Sequence, residues 1–182
     1  MVVPLRSTPL PTVDENRTGA SFFRTLIFKP LYMLRERLEI MKIYIAGPFF
    51  NEEETRVLNL VIDIIRKSWP DAELFIPKEH FIESGDRMTN LDWARKVREM
   101  DLEAIKGCDA IIALYHGHYS DSGTAYELGY ASALGKEIYI INTSIHTSLM
   151  ITPAGKNLWL SEENKTITEL NDRQVNLLIN QK

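Results

Sequence analysis

Glu127 stands out among the acidic residues because it lies just after the loop of a predicted strand-loop-helix unit. The surrounding segment, SGTAYELGYASALGK (122–136), is rich in Gly, Ala and Tyr. Upstream, DAIIALY (109–115) is typical of a buried strand, and HGHYSDSG (116–123) is typical of a loop. Glu127 therefore follows the carboxyl end of a strand, where open α/β sheets bind ligands. A carboxylate in that place is a candidate nucleophile.

Two aspartates are expected near Glu127 and could supply a proton donor in addition to the nucleophile. Asp121 precedes Glu127 in the same loop, and Asp101 lies on the predicted helix before the strand. Three carboxyl groups in one cleft can supply both a nucleophile and a proton donor. A structural alternative remains open, because Thr124 and Glu127 have the spacing of a capping box, in which both side chains bond the free N–H groups of a helix start.

The elements that must position these residues alternate between strands and helices. We predict strands at 42–47, 72–77, 109–115 and 137–143, and helices at 52–68, at 90–106, around Glu127 and at 169–180. Leu149 and Met150 fit a further short helix, and the polar loop 78–89 is long enough to cover a site. This alternation is typical of a single α/β domain with a doubly wound parallel sheet, here of about five strands.

The amino-acid composition indicates which kinds of partner the protein binds. The chain has 182 residues, 45% of them hydrophobic, which suffices for one domain with a core. Its net charge of −4, with both signs interspersed, argues against nucleic acid and favours a small-molecule ligand. The single cysteine, Cys108, rules out an internal disulfide framework and a multi-cysteine zinc site. We expect a reducing, cytoplasmic location.

The first forty residues differ in character from the rest. They are rich in Pro, Thr and charged residues, and the apolar stretch within them is broken by Pro30. No run approaches the length needed to span a membrane, and no signal-peptide core is present, so we expect no membrane association. Met41 directly precedes the first strand. We therefore expect 1–40 to be an N-terminal extension outside the fold and 41–182 to form the domain.

Cofactor and metal motifs are weak. The turn in YIAGPFF (44–50) has one glycine, so it matches neither the dinucleotide-binding nor the P-loop pattern. His116 and His118 have no third ligand at useful spacing. We expect neither a cofactor nor a metal.

Three parts of the sequence together resemble the nucleoside 2-deoxyribosyltransferase family. They are YIAGPFF, Asp101 with Asp109 and its strand, and DSGTAYELGYASALGK (121–136), and the resemblance extends from about 41 to 150. It implies a flavodoxin-like, Rossmann-like fold and the exchange of bases between 2′-deoxynucleosides through a covalent deoxyribosyl-glutamate. It also implies deoxynucleosides and free nucleobases as ligands, a role in nucleotide salvage, and a homo-oligomer built from dimers, possibly a hexamer.

The resemblance also implies roles for individual residues. Glu127 would attack C1′ of the sugar, and Tyr44 would orient it. Asp121 would hydrogen-bond the base and relay a proton, and Asp101 would join that network. Phe49 would cover the base, with Gly47 and Gly123 at substrate-binding turns.

Ser148 departs from the family pattern. It lies where the family commonly has an asparagine that reaches the sugar 5′-hydroxyl across a subunit interface. A serine hydroxyl can still bond the sugar, although the side chain is shorter.

Two other functions stay open. The first is an N-glycosidase that hydrolyses 2′-deoxynucleoside 5′-monophosphates. Such an enzyme needs phosphate donors after the first strand, where AGPFFNEEE (46–54) offers apolar and acidic residues. The second is a nucleoside-binding module without catalysis, which would not need Glu127.

Overall fold

A six-stranded sheet forms the centre of the computed structural model, which describes residues 40–80, 82, 91–116, 121–145 and 148–180. The strands are β1 (Lys42–Ala46), β2 (Glu73–Phe75), β3 (Ala110–Tyr115), β4 (Glu137–Asn142), β5 (Lys156–Ser161) and β6 (Thr166–Glu169). Their order is β2-β1-β3-β4-β5-β6. The first five are parallel, and β6 is antiparallel to β5.

Helices cover both faces of this sheet. They are α1 (Glu52–Ser68), α2 (Leu91–Gly107), α3 (Ser122–Ala133) and α4 (Asp172–Ile179), with short 3₁₀ helices at Pro77–Glu79 and Thr152–Ala154. The apolar stripe of α1 packs on one face of the sheet, and α2 and α3 pack on the other. Strands β1, β3 and β4 are therefore buried on both sides, which explains their nearly continuous apolar sequences.

Local sequence features explain where helix α1 begins and what stabilises its two ends. Asn51 caps it by accepting a 2.9 Å hydrogen bond from the N–H of Glu54. The first turn is acidic and the last turn carries Arg66 and Lys67, so the charges at both ends oppose the helix dipole. The helix occupies the range that its apolar spacing predicts.

The predicted fold class is confirmed, with differences in detail. The sheet has six strands rather than about five, because β5 and β6 form a hairpin that the sequence signal did not indicate. Leu149 and Met150 form a turn instead of a helix, and a 3₁₀ helix follows at Thr152. The terminal helix begins at Asp172 rather than at 169.

Two predictions fall largely beyond the described residues. They concern the expected extension at 1–40, of which 1–39 are not described, and most of the covering loop at 78–89. None of the helices in the described ranges has both the length and the apolar character needed to cross a membrane. Cys108 is buried, and its thiol lies 3.1 Å from the carbonyl oxygen of Ile105.

The carboxyl ends of β1, β3 and β4 meet at one edge of the sheet, because these strands are parallel neighbours. Loops leave this edge toward α1 and α3. Gly47 directly follows β1 and Asp121 lies between β3 and α3, so both lie near this edge.

Candidate active site

The hydroxyl of Tyr44 donates a 2.6 Å hydrogen bond to Oε1 of Glu127. Tyr44 lies in the middle of β1 and is fully buried, while Glu127 lies in the second turn of α3 and is partly buried. The two elements meet because α3 packs through Leu128 and Ala131 on the sheet face that carries Tyr44. The packing thus brings together two residues that are distant in sequence.

Helix α3 begins earlier than the capping-box alternative requires. Its N-cap is Asp121, whose Oδ1 accepts a 3.0 Å hydrogen bond from the N–H of Gly123 and whose Oδ2 accepts one from the hydroxyl of Thr124. The proposed capping box of Thr124 and Glu127 is therefore wrong, because Thr124 already lies inside the helix. Glu127 lies beyond the first turn, and its carboxylate turns to Tyr44.

The surroundings of Glu127 hold its carboxyl near the point of ionisation at neutral pH. Burial raises the pKa of Glu127 to about 7, and the nearby charges of Asp101 and Asp121 act in the same direction. The hydrogen bond from Tyr44 opposes them and favours the carboxylate. Burial and the same carboxylate raise the pKa of Tyr44 far above its usual range, so the phenol stays protonated and remains a donor.

Asp101 provides a second acidic group with an unusual environment. Its Oδ1 is buried and has no hydrogen-bond partner among the described residues. Burial raises the pKa of Asp101 to about 6. A carboxyl group with these properties can carry a proton at mildly acidic to neutral pH and can donate it to a ligand.

Gly47 and Gly123 have packing reasons to be glycine. A Cβ at Gly47 would lie 3.1 Å from side-chain atoms of Leu58 and Leu114, closer than nearly all such contacts. A Cβ at Gly123 would lie 3.2 Å from the carboxylate of Asp121 that caps the helix. At both positions a side chain would crowd its neighbours.

Phe49 and Ser148 lie in loops that follow β1 and β4. Phe49 is 38% exposed and stacks on Phe50, with 5.6 Å between ring centroids. Ser148 accepts hydrogen bonds from the N–H groups of Met150 and Ile151, so its oxygen holds the following turn. Phe49 also lines a shallow depression of about 610 Å³ that includes none of Tyr44, Asp101 and Glu127. The acidic groups, rather than this depression, define the candidate site.

Sequence reasoning missed one aromatic neighbour of the site. Phe75 on β2 stacks on the ring of Tyr44, with 5.5 Å between centroids. The available sequence signal was an aromatic residue within the predicted strand 72–77.

The histidines of the predicted loop give no metal centre in the described ranges. Nδ1 of His116 lies 3.2 Å from the hydroxyl oxygen of Thr143, and His118 lies outside those ranges. No group of three or more potential ligands occurs in the part of the chain that the structure describes.

This combination defines a class: an α/β domain with a tyrosine-bound glutamate near two aspartates on one face of a mostly parallel sheet. The family model described as nucleoside 2-deoxyribosyltransferase matches residues 43–178. The chain therefore belongs to the nucleoside 2-deoxyribosyltransferase family.

The chain is also similar to several solved structures. The 2-deoxyribosyltransferase from the psychrotolerant bacterium Bacillus psychrosaccharolyticus is 28% identical, with a TM-score of 0.60 over 71% of this chain and 99% of that one. A conserved protein from Enterococcus faecalis V583 is 24% identical, with a TM-score of 0.52 over 78% and 87%. A CMP N-glycosidase from Clostridium botulinum is 21% identical, with a TM-score of 0.44 over 68% and 92%. No curated protein matches the chain.

Proposed function

We propose that this protein transfers 2-deoxyribose between nucleobases, with Glu127 as the nucleophile. The main support is the 2.6 Å hydrogen bond that holds the Glu127 carboxylate beside the buried hydroxyl of Tyr44. A carboxylate that is fixed by one donor and partly removed from water is suited to attack an electron-poor carbon. Membership of the family supports the same chemistry.

The first half of the proposed reaction breaks the glycosidic bond. The Glu127 carboxylate forms a bond to C1′ as the bond from C1′ to the base nitrogen breaks, and the electron pair of that bond leaves with the base. The departing base takes a proton from a carboxylic acid in the cleft. The transition state resembles an oxocarbenium ion, which the nearby negative charge stabilises.

The second half reverses these steps with a different base. A nitrogen of the incoming base attacks C1′, the ester to Glu127 breaks, and the proton of that base returns to the carboxylate that had supplied it. Two displacements at C1′ retain its configuration.

Asp101 is the better candidate for the proton donor, in contrast to the sequence-based assignment to Asp121. Both carboxylate oxygens of Asp121 accept hydrogen bonds at the start of α3. Asp101 has a buried oxygen without a partner among the described residues, and its pKa of about 6 keeps part of the population protonated. We assign proton transfer to Asp101 and a contact with the base to Asp121.

The loop between β1 and α1 favours substrates with an uncharged 5′ end over nucleotides. The N–H of Phe50 donates to Oε2 of Glu54 at 2.8 Å, and the N–H of Glu54 donates to Asn51. A phosphate at this helix start would find these donors occupied and would meet the carboxylates of Glu52, Glu53 and Glu54. This observation disfavours the alternative of a nucleotide N-glycosidase.

The test is a product assay with two substrate sets. The protein is incubated with deoxyinosine and free adenine, and in parallel with deoxynucleoside 5′-monophosphates, and the products are separated by chromatography. Formation of deoxyadenosine supports transfer. Release of free base from the monophosphates alone would support the hydrolase, and the absence of turnover in both sets would overturn both enzymatic assignments.

A further inference from the structure

Three aromatic rings form a stack that runs from the site to the surface of the protein. The rings of Tyr44 and Phe75 are 5.5 Å apart and inclined by 12°, and those of Phe75 and His80 are 4.1 Å apart and inclined by 8°. Tyr44 is buried, Phe75 is half-buried and His80 is exposed. We refer to these three residues as the aromatic stack.

The pairing of β1 with β2 holds the inner part of the aromatic stack in place. The parallel register aligns Tyr44 with Phe75, so both side chains emerge on the same sheet face. On the other side of β1, Tyr44 is aligned with Ile111 of β3. Phe75 is therefore the neighbour of Tyr44 on β2, and its ring stacks on that of Tyr44.

The outer part of the aromatic stack is tied to α1. Arg66 forms a 3.0 Å ion pair with Glu79, and Lys78 donates a hydrogen bond to Asn59. These contacts fasten the 3₁₀ helix Pro77–Glu79, which directly precedes His80. His80 is thereby held over the outer face of Phe75.

We infer that Phe75 is a positioning residue, which holds the ring of Tyr44 in the orientation from which its hydroxyl donates to Glu127. Stacked aromatic pairs gain stability beyond simple burial, so the contact favours the orientation of Tyr44 in which the two rings are nearly parallel. The catalytic consequence rests on the function proposed above, whereas the effect on the Tyr44–Glu127 hydrogen bond does not.

The titration of Glu127 reports directly on this hydrogen bond. The titratable groups that face Glu127 are Tyr44 from β1, Asp101 from α2 and Asp121 from the start of α3. Phe75 has no charge, so its replacement removes no charged neighbour of Glu127, and comparison with Tyr44→Phe identifies the part of the change that comes through Tyr44.

The experiment follows the Glu127 carboxyl by ¹³C NMR as a function of pH in the full chain. The signal is assigned by its loss in Glu127→Gln. In Phe75→Leu, which keeps an apolar side chain without a ring, we expect the pKa of Glu127 to rise toward its value in Tyr44→Phe. In Phe75→Tyr, which keeps the ring, we expect the wild-type titration. If Phe75→Leu does not fold, Phe75→Met takes its place.

A matched control separates this role from general packing. Leu74 is the preceding residue of β2, and it packs on the opposite sheet face beside the α1 side of the core. Leu74→Ala should lower the melting temperature without moving the titration of Glu127. A wild-type titration in Phe75→Leu, or an equal shift in Leu74→Ala, would overturn the inference.

Turnover provides a second readout. In Phe75→Leu we expect kcat for base exchange to fall about tenfold with little change in KM, because the nucleophile is less well placed, and Phe75→Tyr should restore it. Since the NMR titration needs no turnover, a wild-type protein without transferase activity would overturn the proposed function and leave the role of Phe75 to be decided by the titration.

Discussion

Tyr44 and Glu127 are 83 positions apart in the sequence, and a 2.6 Å hydrogen bond joins the phenol of the first to the carboxylate of the second. Burial raises the pKa of Glu127 to about 7, whereas this hydrogen bond lowers it. The carboxylate is therefore desolvated enough to be reactive and still ionised in a useful fraction of molecules near neutral pH. The balance between the two effects leads to the first prediction.

Replacement of Tyr44 by Phe should move the acidic limb of the activity profile to higher pH. Without the donated hydrogen bond the pKa of Glu127 rises, so a larger fraction is protonated and unable to attack at a given pH. We expect kcat/KM for base exchange at pH 7 to fall by about tenfold or more. The measurement is the pH dependence of kcat/KM.

Tyr139→Phe is the matched control for this change. Tyr139 is also fully buried in a central strand, but it lies on the opposite sheet face. We expect its profile to keep the wild-type shape. An unchanged acidic limb in Tyr44→Phe would contradict the assigned role of the tyrosine.

The wild-type profile of kcat/KM should be bell-shaped, with its maximum between about pH 6 and pH 7. Glu127 must be ionised to attack, so activity rises as pH increases toward its pKa of about 7. Asp101 must be protonated to donate, so activity falls as pH increases beyond its pKa of about 6. Because the two groups interact, the two pKa values read from the profile describe the coupled pair and not either residue alone.

Asp101→Asn tests which group produces the alkaline limb. The amide cannot supply the proton, so we expect a loss of about 10²-fold in kcat/KM and a flat alkaline side. An intact alkaline limb in this variant would show that another acid donates the proton.

Glu127→Gln should abolish turnover and at the same time stabilise the protein at alkaline pH. The loss of the nucleophile should lower kcat by at least about 10³-fold. Because the folded pKa is raised above the ordinary value of 4.5, ionisation of Glu127 weakens folding as pH rises through the window from about 4.5 to about 7. At pH 8 the full penalty is present, and its removal should increase the free energy of unfolding by about 1–3 kcal/mol.

Urea unfolding of the wild type and Glu127→Gln at pH 5 and pH 8 measures the second effect. The advantage of the variant should be larger at pH 8 than at pH 5. A variant that is both active and less stable at pH 8 would contradict the assignment of Glu127.

Two substitutions of Asp121 separate its part in the helix start from its part in the chemistry. Asp121→Ala removes the acceptor for Gly123 and should reduce the free energy of unfolding by about 1 kcal/mol. Asp121→Asn keeps an amide oxygen that can cap the helix, so its melting temperature should match the wild type. Both changes should lower kcat/KM for base exchange about tenfold, because both remove the carboxylate to which we assign a contact with the base. Full activity of Asp121→Asn would restrict Asp121 to capping.

The elements with strong periodic signals could be predicted from sequence. Helix α1 has apolar residues at helical spacing and begins at the capping residue Asn51, so its bounds were evident. Strands β1 and β3 are apolar throughout because helices cover both faces of the sheet. The position of Glu127 after β3 followed from these elements.

The hairpin of β5 and β6 could not be recognised because its apolar run, Leu158 to Leu160, is short and is flanked by polar residues. β5 begins with Lys156 and Asn157, and Asn157 is buried because its side chain bonds the carbonyl oxygens of Thr152 and Gly155. The connecting turn has no glycine, and its left-handed position is taken by Lys165, with φ of 52°. A buried, fully bonded asparagine looks like a loop residue in a sequence.

The orientation of the site residues required the structure. Spacing alone permitted a capping box at Thr124, whereas the helix starts at Asp121 because that carboxylate reaches the N–H of Gly123. The contact between Phe75 and Tyr44 depends on the register of β1 with β2, which sequence patterns do not specify.

Because of the strand order, β1 is synthesised well before β3, one of its two neighbours in the sheet. β1 pairs with β2 on one side and with β3 on the other, where Ile43 is aligned with Ala110. About 35 residues separate the end of β2 from the start of β3, which corresponds to roughly two to seven seconds of translation. During that interval one edge of β1 has peptide groups without their final partners, and such an edge can pair with another chain. Growth at low temperature lowers the concentration of nascent chains that can pair in this way. It should therefore raise the soluble yield of this protein.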